Sequence, residues 1–386
     1  MNRKHTALLI VALLVAVVAL WAEPSFADRL ADAIAASPAG TDAGQLNPTA
    51  APGFLGIPGA PQVNLILAFG WALWVGWIFS TVGAFGGIMA GVGHITIYGF
   101  GNFASSFKKT SPTLNKVITD SIRVSNQWLV GTSAGISSWN YYKMGRLVLP
   151  LALCLGIGSV AGSTLVPWLT AGKISLKSYI GYFGLFVLFL GCYLTYEMTP
   201  RGQASKKKAK EAAKAFEATV KQQREGAAID TSALGVKVKS FTPGKVTFTF
   251  YGVEFGFNPL IPICGGFVIA SLASFLGVGG GFLLVPFLTS VAGLPMYLVA
   301  GTSALAVLVG MITSIATYMT VGGAPVDWSL IGVELVGILI GSVVGPRTSK
   351  YIPEKGLKIL FIILAFYVGI RYSTKGLLGI SLLPPY

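Results

Sequence analysis

From residue 63 onward, long apolar runs separated by short polar breaks dominate the chain. Runs near or above about 20 residues are long enough to cross roughly 30 Å of hydrocarbon as helix. Helices and closed barrels are the spanning structures that satisfy their own backbone in lipid. Apolar length therefore predicts helices near 121–141, 147–168 and 178–198, then, after a polar interval, near 260–290, 297–319, 328–346 and 357–372. Residues 63–100 are long enough for two crossings or one broken helix, and Gly83-Ala84-Phe85-Gly86-Gly87 supplies a break. The pattern predicts an all-α polytopic membrane protein.

The polar intervals divide the chain. Residues 1–27 hold a basic start, about 15 apolar residues and Ser25-Phe26-Ala27, the plan of either a cleaved signal peptide or a retained first helix. Residues 28–62, rich in Ala, Pro, Gly and Asp, read as an exported linker. Membrane blocks at 63–198 and 260–375 flank a basic cytoplasmic insertion at 199–259, and 376–386 form a tail. Within the insertion, SKKKAKEAAKAFEATVKQQREG predicts a surface helix, with Lys207–Glu211 and Glu217–Lys221 at i,i+4 spacing. VKVKSFTPGKVTFTFYG alternates around Thr242-Pro243-Gly244 and predicts a small hairpin.

The two blocks share markers in the same order. GTSA occurs at 131–134 and at 301–304; GSVAG at 158–162 is echoed by GSVVG at 341–345; the glycine tract at 83–87 has a counterpart in Gly277-Val278-Gly279-Gly280-Gly281. Two internally repeated bundles of about four segments are expected, with order alone compatible with parallel or inverted repeats. The charge pattern adds a constraint. Residues 201–245 carry 11 of the 28 Lys and Arg against four acids, half of the net +14, which reads as positive-inside orientation. If every segment crossed fully, the chain would have to enter at 63 from the cytoplasm, whereas either N-terminal reading delivers it from outside. A re-entrant, glycine-broken first segment in each block removes the conflict and places Arg347, Lys350, Lys355 and Lys358 inside.

Composition narrows the function. With 53% hydrophobic and 11% charged residues and a mean hydropathy of +0.71, the chain is an integral membrane protein. The clustered charge argues against nucleic acid as partner and for lipid. Cys154, Cys192 and Cys264 lie in separate apolar segments without metal-ligand spacing, and with two histidines in the chain no metal, haem or other cofactor is expected. They read as small core residues. There is no Walker A sequence, HExxH or GxSxG, so neither intrinsic ATP-driven transport nor enzymatic catalysis is indicated.

Candidate chemistry lies at the repeated markers. Gly279, Gly280 and Gly281 permit a sharp turn, and the amides of a helix restarting near Phe282 would suit an anion. Thr132, Ser133, Thr302 and Ser303 either offer hydroxyls to an anion or bond across helices. Glu334, within an apolar run, is either a proton carrier or a structural hydrogen-bonding group; Asp327 either couples or caps the following helix. Arg123 either attracts an anion or anchors at the interface, and His94, though able to titrate near neutrality, is by itself no relay.

The stretch GVGGGFLLVPFLTSVAGLPMYLVAGTSALAVLVGMITSIATYMTVGGAPVDW, 277–328, resembles the repeat of the TauE/SafE sulfite exporter family in its glycine break, VP, AGTS and VDW. The resemblance extends over 63–198 and 260–375, but the first copy reads GAFGGIMAGVGHITIYGF, and its GTSA follows the glycine tract by 48 residues against 24. The resemblance implies a multi-pass permease of the bacterial inner membrane, exporting sulfite or an organosulfonate, in which the second glycine tract, Thr302, Ser303 and Asp327 match the family pattern. Protons as coupling ion and a homo-oligomer are compatible with it. A passive anion channel, or a receptor or assembly subunit working through 201–258, are the alternative functions.

Overall fold

The computed structural model describes residues 25–82, 86–170, 176–203, 207–225, 234–276, 281–380 and 382–383. After α1 (Ser25–Ala35), the first block comprises α2 (Leu65–Val82), α3 (Gly86–Val92), a π-helical turn at Gly93–Ile97, α4 (Phe100–Ser106), α5 (Pro112–Lys143), α6 (Leu149–Thr170) and α7 (Leu176–Met198). The insertion contributes α8 (Lys207–Arg224) and strands β1 (Lys237–Phe241), β2 (Val246–Phe250) and β3 (Val253–Phe257). The second block comprises α9 (Leu260–Leu276), α10 (Gly281–Pro286), a π-helical turn at Phe287–Val291, α11 (Met296–Thr320), α12 (Trp328–Ser349) and α13 (Glu354–Ser373). Among the described residues, four helical segments are long and apolar enough to cross a bilayer: Leu149–Val166, Met296–Thr320, Trp328–Ser349 and Lys355–Leu378. Exposed Ile66, Ile157, Phe189 and Ile363 give the bundle an apolar exterior suited to lipid. Of the cysteines expected in the core, Cys154 is buried, whereas Cys192 and Cys264 lie on the exposed surface.

Lipid tails are as apolar as the side chains, so helices in a membrane associate through close packing more than through the hydrophobic effect. The GSVxG tracts serve such seams. Along α2 and α12, which run parallel, Gly337, Gly341 and Gly345 face the carbonyls of Phe69, Leu73 and Trp77. Along α6 and α9, also parallel, Gly158 and Gly162 face those of Ile263 and Phe267. The reciprocal approaches recur as well: Gly76 faces the Ile338 carbonyl and Gly266 that of Leu155. Each half thus gives its first long helix to a seam with the other half.

Two further pairs are antiparallel. Gly131 and Gly135 of α5 face Met311 and Leu308 of α11, and Gly184 and Gly191 of α7 face Ser373 and Ala365 of α13. Helices that hold the same place in the two blocks therefore run in opposite directions. The C-terminal ends of α5 and α12 and the N-terminal ends of α6 and α11 gather at one end of the bundle. There Tyr141 and Arg146 meet Ser349, and the Val148 amide meets Thr302. The insertion sits at this end, through a bond from Tyr297 Oη to Glu217.

Both broken segments double back. Gly86 lies against Phe79 and Val75 of α2, and Gly93 against Trp71, so α3 returns along the helix before it. In the second half, Gly265 of α9 lies against Phe287, which opens the second π turn. Gly99 (φ +78°) and Gly293 (φ +63°) then reverse the chain where a Cβ would be strained. The joints at 83–85 and 277–280 fall outside the described residues. The unequal spacing to GTSA is taken up by α4 and by the length of α5, 32 residues against 25 in α11.

The insertion is a helix packed on a three-stranded antiparallel sheet in the order β1-β2-β3. The alternation in VTFTF buries Val246, Phe248 and Phe250, while Ala209, Ala212, Ala213 and Phe216 form the inward stripe of α8. The third strand, beyond the expected hairpin, follows from Tyr251-Gly252, whose positive φ angles (+49° and +79°) make the turn.

Residues 28–62, expected as a linker, are packed on the opposite end of the bundle. Phe54 and Ile57 are buried, Phe54 stacks on Phe100 with ring centroids 3.8 Å apart, and Ser37 Oγ lies 2.7 Å from Ser111 Oγ. Asp327 ties this cap to the bundle: its carboxylate accepts from the Leu330 amide at 3.2 Å, capping α12, and from the Leu55 amide at 3.0 Å. Asp327→Ala removes both bonds. Loss of the helix cap alone is worth about 0.5–2 kcal/mol, so a lowered Tm together with faster proteolysis within 37–62 is expected.

Candidate functional site

The longest helix is also the most polar one inside the bundle. Over 115–138, α5 buries Asn115, Thr119, Asp120, Ser121, Arg123, Ser125, Asn126, Gln127, Ser133, Ser137 and Ser138, so its polarity faces protein rather than water or lipid. Arg123, which sequence reading left open as an interfacial anchor, lies in the interior. Its Nη1 is 3.2 Å from Asp120 Oδ1, an i,i+3 pair in which both side chains are about 2% exposed. Around this pair, Ser121 Oγ, Ser125 Oγ, Asn126 Oδ1 and both polar atoms of Gln127 have no hydrogen-bond partner within the protein. Buried polar atoms are nearly always satisfied, and an unpaired one costs about 1–3 kcal/mol, so a cluster of them suits a polar solute or water.

At the same depth lies a second polar group. Ser133 on α5 and Ser342 on α12 bond to each other at 2.7 Å. Both helices run toward the same end, so at about 1.5 Å rise per residue Glu334 of α12 is level with Ser125 of α5. Glu334 is 1% exposed. Its Oε2 lies 2.9 Å from His94 Nε2, and its Oε1 accepts from Tyr98 Oη at 3.0 Å. The first π turn carries His94 and is followed directly by Tyr98; such widened turns re-aim side chains and are frequent at functional sites. His94 Nδ1 has no protein partner. Phe100 packs on both rings, with centroids 5.9 Å from His94 and 5.7 Å from Tyr98, and Phe54 of the cap stacks on Phe100.

The second half lacks this triad. Counting back from the paired glycines after the π turns, Gly99 and Gly293, His94 corresponds to Leu288 and Tyr98 to Ala292. Counting from GSVAG and GSVVG, Glu334 corresponds to Leu151. Leu151 and Leu288 are buried. By this count the matching positions carry Leu288, Ala292 and Leu151 where the first π turn and α12 carry an imidazole, a phenol and an acid.

The residues singled out by repetition are placed differently. Gly279 and Gly280 lie outside the described residues, and Gly281 opens α10. Ser133 bonds Ser342, so the first GTSA meets the second GSVxG; Thr302 Oγ1 accepts the Val148 amide at 3.1 Å; Ser303 Oγ donates to the Ala300 carbonyl at 3.2 Å; Thr132 is half-buried. The hydroxyls of Ser133, Thr302 and Ser303 thus bond within helix seams and turns. The structure brings Glu334 to His94 and leaves Asp327 at the end of α12. Of the polar stretch TDSIRVSNQ on α5, sequence reading named Arg123 and missed Asp120, Ser121, Ser125, Asn126 and Gln127, whose signal was their polar density inside a predicted span. Among the described residues no cluster of three His, Cys, Asp or Glu could hold a metal.

The family model described as Sulfite exporter TauE/SafE matches residues 68–372. A curated Arabidopsis thaliana protein described as "Sulfite exporter TauE/SafE family protein 5" is 27% identical over 110 residues, 28% of this chain. The chain spans about a quarter of that relative's length, since the match covers 24% of it. No solved structure matches.

Proposed function

The chain belongs to the TauE/SafE sulfite exporter family, and from that premise we propose that it is a secondary permease exporting sulfite or an organosulfonate. Members of this family are transporters rather than enzymes, and membership together with the long apolar helices makes this a multi-pass protein of the bacterial inner membrane. The observation that carries the reading is the enclosed polar layer of α5, where Arg123 and the donors of Ser121, Ser125 and Gln127 lie level with the Glu334–His94 pair. A sulfur oxyanion calls for such a set: a positive charge and several hydrogen-bond donors in a water-poor site, with bonds to charged groups worth about 1.5–3 kcal/mol each.

The opposed directions of corresponding helices support two inverted bundles around this layer, and the doubled-back segments support a re-entrant break in each. That plan provides two alternative packings about one fixed site, the basis of alternating access. With the insertion end cytoplasmic, Arg347, Lys350, Lys355 and Lys358 follow the positive-inside preference and the chain enters the bundle at 63 from outside. The GTSA hydroxyls then act through the seams that slide, and Glu334 with His94 supplies a proton site for coupling.

Proteoliposomes containing the full chain are expected to exchange thiosulfate, sulfite or taurine in counterflow, and a pH gradient is expected to drive their accumulation. Counterflow of none of them, or of carboxylates equally well, would remove the sulfur-anion assignment. Exchange without pH-driven accumulation would indicate a passive channel. Gln127→Leu loses no bond within the protein, so its folded yield should match wild type while half-saturation for the anion rises about tenfold, the weight of one lost bond to a charged solute.

A further inference from the structure

Arg146 lies in the turn between α5 and α6, at the insertion's end of the bundle, with its side chain buried. Its Nε donates to the Tyr297 carbonyl at 3.2 Å and its Nη1 to Ser349 Oγ at 3.4 Å, while Nη2 has no hydrogen-bond partner. Among the described residues no carboxylate forms an ion pair with it. Instead the rings of Tyr141, Phe216 and Tyr297 surround the guanidinium at 4.8, 5.1 and 5.4 Å. Burial pushes its pKa below the usual arginine value. Buried charges are generally paired because desolvation is costly, and aromatic faces offset that cost less completely than a carboxylate would.

The walls of this box have different origins. Tyr141 comes from α5, Tyr297 from α11 and Ser349 from α12, so both membrane halves meet there. The remaining wall, Phe216, comes from α8 of the insertion, where it also stacks on Phe250 and packs edge-on against Tyr251. The next residue, Glu217, places Oε1 2.8 Å from Tyr297 Oη and accepts its hydrogen bond. The insertion thus lays an aromatic ring over a guanidinium that lacks a counter-charge and sets a carboxylate on a hydroxyl at its rim.

We propose that Arg146, Tyr297 and Ser349 form a sulfur-oxyanion-binding site at the insertion end of the bundle, closed by α8 with Phe216 over the guanidinium and Glu217 on the Tyr297 hydroxyl. An oxyanion pairs with the free Nη2 and takes the hydroxyl from Glu217, and α8 lifts away as it binds. The insertion is then a gate over one mouth of the bundle. The inference rests on the permease reading only for the identity of the anion.

The test measures thiosulfate binding to the full-length protein in detergent by calorimetry, with amide exchange over 207–224 followed in parallel. Saturating thiosulfate is expected to raise exchange in α8. Phe216→Ala, which removes the cover, is expected to bind about tenfold more tightly, and Arg146→Lys, which keeps the charge but loses the planar fork, at least tenfold more weakly. If Arg146→Lys fails to fold, Phe216→Ala and the exchange measurement still decide the matter. Unchanged α8 exchange with thiosulfate bound, or unchanged affinity in Phe216→Ala, would overturn the proposal and leave Arg146 as a staple that docks the insertion. Counterflow on the same proteins separates the two readings. Arg146-dependent binding without counterflow supports the site and removes the permease; counterflow with binding indifferent to Arg146 and Phe216 removes the site alone.

Discussion

Replacing His94 by Leu, Tyr98 by Phe and Glu334 by Leu together should give a folded protein that exchanges anion but no longer accumulates it against a pH gradient. The two leucines copy Leu288 and Leu151, the buried residues at the matching sequence positions, and Tyr98→Phe keeps the ring while removing its hydroxyl. Exchanging a whole buried polar group for hydrocarbon of similar volume is often neutral or stabilising, whereas removing one partner strands a buried charge at about 3–5 kcal/mol. His94→Leu alone should therefore lower Tm markedly, and the triple variant should recover most of the loss. The other ionisable groups near the pair are few: Tyr98 bonds Glu334, α2 and α3 carry none, and on α5 Asp120 and Arg123 bond each other. The readouts are Tm, counterflow and pH-driven accumulation in liposomes, and a triple variant that still accumulates anion with the pH gradient would show that coupling lies elsewhere.

The second large effect concerns the seams. Gly158→Ala and Gly341→Ala should each destabilise the protein by about 1–3 kcal/mol, the usual cost of forcing a methyl group into a filled contact. Each Cβ would collide with a backbone carbonyl, that of Ile263 or that of Leu73, and a carbonyl moves only with its helix. Both crossings join one half to the other, so transport should fall together with stability. Gly70→Ala and Gly332→Ala are the matched controls, since no heavy atom lies within 4 Å of a Cβ at either position. Removing a mid-helix glycine there should be neutral or stabilise by up to about 1 kcal/mol. Unfolding midpoints of the four variants in one detergent give the comparison, and equal values across all four would show that the seams tolerate a shift.

The repeated tracts were legible as repetition but not as mechanism. GTSA and GSVxG stand out because small and hydroxyl residues recur at matched places in apolar sequence, and that is how membrane helices mark close contact. A solvated site and a tight seam use the same residue types, so the choice between them depends on what lies opposite. Opposite Gly158 is a carbonyl, opposite Ser133 is Ser342, and opposite Thr302 is an amide at the start of α6. His94 escaped as a functional candidate for a related reason. A lone histidine in apolar sequence carries little information until Glu334, 240 residues away, is found at 2.9 Å.

By itself the sequence determined that this chain lives in a membrane and that it resembles sulfite exporters, and its recurring motifs raised the expectation of two related blocks around a basic insertion. Those properties follow from apolar length, local charge and short motifs, which act over one helix or one loop. Tertiary structure alone decided that corresponding helices run in opposite directions, that residues 28–62 cap one end and the insertion the other, and that the polar interior lies on α5 beside an acid and a histidine from different blocks. These depend on contacts across hundreds of residues, where each partner's chemistry is completed only by the other's position.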